Sequence, residues 1–152
     1  MHTPDHAHFM RRAIELAGQN PRFPFGAVLV EISTGRIVAE GVNQGHQNPT
    51  YHGEMAAIHQ FVAQGAPAAW NGLRLYTTAE PCCMCQGAIL WAGIASVVFG
   101  TSIPGLTRLG WNQIDIPAAE VIRRAPFATC ELIGGILEAE CDALFAAALH
   151  LS

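Results

Sequence analysis

Two cysteines separated by two residues, Cys82 and Cys85, are the part of the sequence best suited to chemistry. They follow Pro81, whose fixed backbone angle suits the first position of a helix, and residues at i and i+3 share one helical face. Both sulfur atoms can therefore reach one ion. A helix N-terminus also lowers thiol pKa values and favours metal-binding thiolates. The pattern alone leaves a second interpretation open, because a thioredoxin-like redox pair has the same spacing.

A histidine and a glutamate upstream, in the triplet His52-Gly53-Glu54, favour the metal site. One histidine and two cysteines leave a fourth zinc position for water, as catalytic sites do, whereas structural zinc normally takes four protein ligands. Glu54 is then close to the metal without being needed as a ligand, which suits a group that moves protons to and from the bound water. We therefore predict Zn²⁺ at His52, Cys82 and Cys85, with Glu54 as a catalytic residue.

These residues belong to four sequence blocks that resemble the cytidine-deaminase-like zinc deaminase superfamily, whose signature is H-x-E followed by P-C-x-x-C. The blocks are Pro24–Val28, Glu40–Asn43, Pro49–Glu54 and Glu80–Ile89. The resemblance extends over about residues 9–116 and fades in the last third of the chain. Segments Ala88–Ala92 and Gly110–Asn112 are most similar to bacterial guanine deaminases. The His-Gly-Glu triplet also occurs in fungal-type cytosine deaminases, and the Pro-Cys block also resembles tRNA adenosine deaminases.

The resemblance implies an α/β fold with three α/β/α layers, in which helices flank a central mixed sheet of about five strands. It implies hydrolytic deamination, in which Glu54 takes a proton from the water, delivers it to a ring nitrogen as the amino-bearing carbon is attacked, and then protonates the departing ammonia. Asn43 corresponds to a base-binding asparagine, and the backbone N–H of Cys83 would polarise the water. Gly53 would let the backbone approach a flat ring, or it is simply a small residue at a crowded helix start.

A second proton carrier often follows a Gly-aromatic pair in guanine deaminases. Here Gly110-Trp111 is followed by Asn112 and Gln113, and the nearest acid is Asp115. We therefore take Asp115 as the candidate second catalytic residue. This departure weakens the guanine assignment.

Aromatic side chains suggest how a substrate would be held. Phe25, Trp91 and Trp111 could form apolar walls that a bicyclic purine fills better than a pyrimidine, although Trp111 could equally pack its own loop onto the protein. We expect guanine as the substrate, then other small aminopurines or aminotriazines, then cytosine, with tRNA last. A non-catalytic zinc-stabilised module is a further alternative, and Glu54 argues against it because a structural site does not need an adjacent carboxylate.

Charge and composition point to a small substrate. The net charge is −4 and the eight basic residues are all arginine, whereas nucleic-acid binding usually needs a basic patch. The 152 residues are 51% hydrophobic and only 13% charged, which predicts one domain, 1–152, and apolar surface buried in a homodimer. The sequence has no apolar run of about 18 residues and no signal-like N-terminus. We therefore expect no membrane partner and a cytoplasmic location. Two of the five cysteines lie in the predicted metal site, which argues against a disulfide framework and for a reducing compartment.

Hydrophobic periodicity predicts the elements that must position these groups. A first helix should begin at the cap Thr3 and end at Gly18, and two strands should form a hairpin. A parallel strand–helix–strand unit should carry the cysteines, while 101–116 should lack regular structure. The expected strands are Phe25–Ile32, Arg36–Val42, Leu73–Thr78 and Ser96–Gly100, and the later helices are His52–Gln64, Cys82–Ala92, Pro117–Arg124 and Ile136–Leu149.

Overall fold

A five-stranded mixed sheet forms the centre of the protein in a computed structural model that describes residues 4–151. Its strands are β1 (Gly26–Glu31), β2 (Arg36–Val42), β3 (Leu73–Ala79), β4 (Ser96–Thr101) and β5 (Glu131–Ile133). The order across the sheet is β2-β1-β3-β4-β5. β1 is antiparallel to both β2 and β3, whereas β3, β4 and β5 are mutually parallel. The predicted hairpin and the predicted parallel pairing of β3 with β4 are therefore both confirmed.

Helices cover both faces of this sheet. They are α1 (His6–Ala17), α2 (Gly53–Ala63), α3 (Cys83–Ala92), α4 (Ile103–Leu109), α5 (Ala118–Arg123) and α6 (Glu138–Ala148), with a 3₁₀ turn at Trp70–Gly72. One buried cluster joins the sheet to α2 and α3, and a second joins its other face to α1, α4 and α6. The described residues thus have the three-layer α/β/α architecture predicted from the sequence.

Local sequence accounts for the inner strand β1 and for the ends of two helices. β1 reads Gly-Ala-Val-Leu-Val and is buried along this whole run, as expected for an inner strand covered on both faces. The side chain of Asp5 accepts a hydrogen bond from the backbone N–H of His8 at 3.0 Å and caps α1. The expected cap Thr3 lies outside the described residues. α3 ends at Gly93, whose φ of 85° is a left-handed conformation that glycine adopts without strain.

The strand directions bring several helix starts together. Because β1 is antiparallel to both of its neighbours, β2 and β3 run in the same direction, and β4 runs parallel to β3. The carboxyl ends of these three strands therefore meet at one edge of the sheet. α2, α3 and α4 follow these strands in the chain, so their N-termini lie at that edge, where α/β sheets commonly bind ligands.

The region 101–116 differs from expectation because it contains α4. The Ser102 side chain caps this helix by accepting from the N–H of Gly105 at 3.0 Å, and Gly110 ends it with a φ of 109°. Seven residues are too few for a clear hydrophobic period, which is why the sequence did not reveal it. Strand β5 was not placed either, because it has only three residues. Within residues 4–151, no helix has the length and apolarity needed to cross a membrane.

Candidate active site

The starts of α2 and α3 bring one histidine and two cysteines together. His52 is the residue before α2, Cys82 is the residue before α3, and Cys85 lies on the first turn of α3. The sulfur atoms of Cys82 and Cys85 each lie 3.6 Å from Nδ1 of His52. The three ligand atoms all lie within 4.8 Å of one another, and in residues 4–151 these side chains form the one cluster suited to a metal.

This cluster fits zinc. Zinc–sulfur bonds of about 2.3 Å and zinc–nitrogen bonds of about 2.0–2.1 Å, at tetrahedral angles, place sulfur and nitrogen about 3.6 Å apart. That separation matches both distances between the cysteine sulfurs and His52. The donor set of two sulfurs and one imidazole is also typical of zinc. With three protein ligands, the fourth coordination position is left for water, as catalytic zinc requires.

The two thiols differ in acidity. A hydrogen bond from Cys85 and then the neighbouring His52 lower the pKa of Cys82 to about 4. The same contact with Cys82, followed by burial, raises the pKa of Cys85. The hydrogen bond to Cys82 also raises the pKa of His52. Cys82 is therefore the first thiolate, and a metal must displace a proton from Cys85 as it binds.

Glu54 lies beside this cluster on the first turn of α2. Its side chain is 3% exposed, and burial raises the pKa of its carboxyl group. The hydroxyl of Thr77 donates to Oε1 of Glu54 at 2.7 Å, which opposes that rise. Glu54 also lines the cavity that His52 and Cys82 reach. It therefore has the place expected of a group that exchanges protons between water and a substrate.

A cavity of about 840 Å³ opens over the metal ligands at the carboxyl edge of the sheet. Three of the residues predicted to bind the substrate, Phe25, Asn43 and Trp111, line it. Its remaining wall includes the polar side chains of Arg22, His46, Asn112 and Gln113. The cavity is larger than a single heterocyclic base needs and has both an aromatic and a polar side.

The local hydrogen bonds fix the orientation of Asn43. Its Oδ1 accepts from the backbone N–H of Gly45 at 2.9 Å, and its backbone oxygen accepts from the side chain of Asn20 at 3.0 Å. The side-chain oxygen is thus already engaged, so the amide NH₂ is the group left for a ligand. Asn43 therefore presents a hydrogen-bond donor to the cavity.

Trp111 packs its own loop onto the protein and also lines the cavity. Its indole N–H donates to the backbone oxygen of Phe145 at 3.0 Å, and its ring packs edge-on against Phe25 with centroids 5.4 Å apart. These contacts attach its segment to the protein. The ring still lines the cavity, so packing and ligand contact are compatible.

Four predicted residues require correction or closer description. Trp91 is 78% exposed and stacks on Phe127, so the structure does not bring it to the cavity of its own chain. Asp115 is exposed and does not line the cavity, because Asn112 and Gln113 occupy the wall there.

Gly53 does not line the cavity either. A Cβ atom at this position would collide with the backbone oxygen of Phe25, so the glycine allows α2 to approach β1 closely. Cys83 is the first residue of α3, where backbone N–H groups have no acceptor within the helix. Its side chain lines a separate groove together with Trp91. The polarising role of its N–H stays a prediction.

Sequence analysis did not single out Thr77 or Glu80, whose side chains form hydrogen bonds around the site. Thr77 contacts Glu54, as described above, and Glu80 accepts backbone hydrogen bonds from Ile103 and Ala118. The available signals were a threonine at the alternating strand position that Leu73 and Leu75 share, and an acid directly before Pro81-Cys82. Neither signal identifies a partner, because the partners are distant in sequence.

Comparison with known proteins agrees with this geometry. Residues 3–101 match the family model of the cytidine and deoxycytidylate deaminase zinc-binding region. A guanine deaminase of Bacillus subtilis (strain 168) is 36% identical over 135 residues, which are 81% of this chain and 84% of that protein. A probable cytosine deaminase of Schizosaccharomyces pombe is 29% identical, over 87% of this chain and 85% of that protein.

A tRNA-specific adenosine deaminase of Bacillus subtilis is 32% identical, over 91% of this chain and 85% of that protein. Among solved structures, a guanine deaminase from Nitrosomonas europaea superposes with a TM-score of 0.82 at 23% identity, over 97% of this chain and 85% of that chain. That likeness supports the fold. From the matched zinc-binding region and the cluster of His52, Cys82 and Cys85, we conclude that the chain belongs to the cytidine and deoxycytidylate deaminase family of zinc-dependent hydrolytic enzymes.

Proposed function

We propose that this deaminase hydrolyses free guanine to xanthine and ammonia. The observation that carries the proposal is the cavity, which joins the metal ligands and Glu54 to a space that can hold a bicyclic base, with an aromatic wall and the amide donor of Asn43. The guanine deaminase of Bacillus subtilis, at 36% identity, supports the choice of base.

His52, Cys82 and Cys85 would hold the zinc ion, which when bound lowers the pKa of a coordinated water toward about 7 and so supplies a nucleophile at neutral pH. Glu54 would accept a proton from the attacking water. It would give this proton to the ring nitrogen next to the amino-bearing carbon. It would then take the second proton from the oxygen now bonded to that carbon and give it to the amino group, so that the C–N bond breaks, ammonia leaves and the carbonyl of xanthine forms. The raised pKa of Glu54 suits this role, because a carboxyl group that holds a proton more readily is a better carrier of that proton from water to the substrate.

Recognition of the base would combine stacking and hydrogen bonding. The edge-on pair of Phe25 and Trp111 gives one apolar wall, and Asn43 offers its NH₂ to an acceptor atom on the ring. The amides of Asn112 and Gln113 lie on the same cavity wall and can both donate and accept. A base with mismatched donors would leave the buried amide of Asn43 unpaired, which discriminates more strongly than ring size. The proposal gives no proton-transfer role to the exposed Asp115.

The same site could serve two other substrates of related enzymes. Cytosine has one ring and would fill less of a cavity of about 840 Å³, although the triplet His52-Gly53-Glu54 suits cytosine deaminases as well. A tRNA substrate would bring many phosphates, whereas the chain has no lysine and a net charge of −4. Guanine agrees better with both the volume and the charge.

A survey of substrates tests this proposal. Ammonia release by the zinc-loaded enzyme should be measured with guanine, 2,6-diaminopurine, cytosine, adenine, their nucleosides and a tRNA. We expect the highest kcat/KM for guanine and the lowest for tRNA. A higher kcat/KM for cytosine than for guanine would contradict the proposed substrate but would leave the zinc chemistry intact.

We further propose that the enzyme works as a homodimer in the cytoplasm. Trp91 and Phe127 are 78% and 59% exposed, and their stacked rings flank a largely apolar groove between α3 and α5. A second copy of the chain would remove this surface from water. Sedimentation at micromolar concentration should show a dimer that Trp91→Lys dissociates. A wild-type monomer would contradict the dimer.

A further inference from the structure

A buried hydroxyl interrupts the apolar inner face of β3. Leu73, Leu75 and Thr77 point to the same side of the strand, and all three are fully buried. The two leucines pack into the cluster under α2 and α3, whereas Thr77 carries a polar group into the same layer. Burying a hydroxyl is unfavourable unless it forms a hydrogen bond, so its contacts indicate its purpose.

The Thr77 hydroxyl has two possible partners. Its Oγ1 lies 2.7 Å from Oε1 of Glu54 and 3.0 Å from the backbone oxygen of Ala79. A hydroxyl has one proton and an ionised carboxylate only accepts, so with Glu54 ionised the proton points to Oε1. Glu54 lines the cavity and Thr77 does not. Thr77 can therefore influence a substrate only through Glu54.

The support for this hydroxyl is rigid. Thr77 is paired with Ala27 on β1 and with Phe99 on β4, so strands on both sides fix its backbone. The carboxylate of a glutamate, in contrast, rotates about a terminal bond with a broad torsional preference. One fixed donor on one oxygen is enough to restrict that rotation.

We propose that Thr77 is a positioning residue for the deamination reaction. Its hydroxyl engages Oε1 of Glu54, fixes the plane of the carboxylate and leaves Oε2 as the oxygen that exchanges protons with water and substrate. The inference rests on the proposed role of Glu54 as the proton carrier. Groups that must hold a reacting atom to within about 0.5 Å need this kind of support behind them.

Two nearly isosteric variants separate the hydroxyl from the shape of the side chain. Thr77→Val removes the hydroxyl and keeps the volume, whereas Thr77→Ser keeps the hydroxyl and removes a methyl group. We expect Thr77→Val to lower kcat by about 10- to 100-fold, the range expected for a lost hydrogen bond to a charged group, with KM within about twofold of wild type. Thr77→Ser should keep kcat within about threefold of wild type, allowing for a small packing defect. Both variants should hold one zinc per chain by metal analysis.

A matched control is present on the surface of the same chain. Thr34 donates to Oε1 of Glu31 at 2.8 Å in the exposed β1–β2 turn, far from the cavity in sequence and fold. Thr34→Val removes the same kind of contact and should leave kcat unchanged. The double variant Glu54→Gln/Thr77→Val should be no slower than Glu54→Gln alone, because Thr77 acts through Glu54.

Several outcomes would overturn this inference. A kcat for Thr77→Val within twofold of wild type would show that the hydroxyl does not position Glu54. If Thr77→Val loses its zinc or no longer unfolds cooperatively on heating, the residue is a structural support only. The same conclusion follows if Thr77→Ser and Thr77→Val lose kcat equally. Near-normal activity of Glu54→Gln would instead refute the proposed mechanism, so the two failures are distinguishable.

Discussion

Substitution of Glu80 by glutamine should destabilise the protein and weaken substrate binding together. Glu80 is 7% exposed, and its two oxygens accept from the backbone N–H groups of Ile103 and Ala118, each at 2.8 Å. These residues are the first residues of α4 and α5. One carboxylate thus fixes both ends of the segment that places residues 110–113 in the cavity wall.

The magnitude follows from this pair of contacts. Glutamine has one acceptor oxygen, and its NH₂ group would face the second backbone N–H without a partner. The change loses one hydrogen bond to a charged group, worth about 1.5–3 kcal/mol, and weakens the other to an uncharged bond. We therefore expect a loss of about 2–4 kcal/mol in the free energy of unfolding, which lowers Tm by about 5–15 °C for a chain of this size.

Urea and thermal unfolding of the zinc-loaded protein measure this loss. Glu140→Gln on the exposed side of α6 makes the same change of charge and should cost less than about 1 kcal/mol, since it removes only a favourable interaction with the helix dipole. The KM of Glu80→Gln for its best substrate should rise while its zinc content stays at one per chain. If the two variants unfold within about 0.5 kcal/mol of each other, the bridging role assigned to Glu80 is wrong.

Three further predictions concern the metal centre. Cys85→Ala should lose most of its zinc and unfold at a lower temperature. If this variant still holds one full equivalent of zinc, Cys85 is not a metal ligand. Glu54→Gln should keep the fold and the zinc while kcat falls at least about 100-fold, since an amide cannot carry protons; activity within a few-fold of wild type would contradict the mechanism. Zinc affinity should fall as pH decreases, because protons on Cys85 and His52, whose pKa values are raised, compete with the metal. Calorimetry in two buffers should show that zinc uptake releases at least about one proton at pH 7, and a pH-independent affinity would contradict this.

The metal ligands could be predicted from sequence because a short pattern carries them. The spacing of Cys82 and Cys85 on one helical turn predicted that both sulfurs could reach one ion. The distant His52 and Glu54 were joined to them by the zinc donor set and by the H-x-E and P-C-x-x-C signature that the sequence resembles. The sheet was predictable for a similar reason, since apolar strand runs and short turns determine which neighbours pair. The structure adds the strand directions that bring the two helix starts to one edge.

The rest of the site depends on contacts between distant residues. Thr77 meets Glu54, and Glu80 meets Ala118, across parts of the chain that no local pattern connects. Trp91 was predicted as a wall of the cavity because aromatic residues are useful there, but its position on α3 turns it to the outer groove. Side-chain direction on a helix follows from how the helix packs, and sequence spacing alone did not reveal that packing.

The conversion of guanine itself tests the central claim most directly. Purified protein reconstituted with one zinc per chain should be incubated with guanine, and xanthine and ammonia should both be quantified by chromatography and by an enzymatic ammonia assay. We predict equal amounts of the two products, no conversion after the zinc is removed with a chelator, and recovery when zinc is restored. Absence of xanthine while cytosine or another base is deaminated would contradict the proposed substrate, and conversion that persists without the metal would contradict the zinc mechanism.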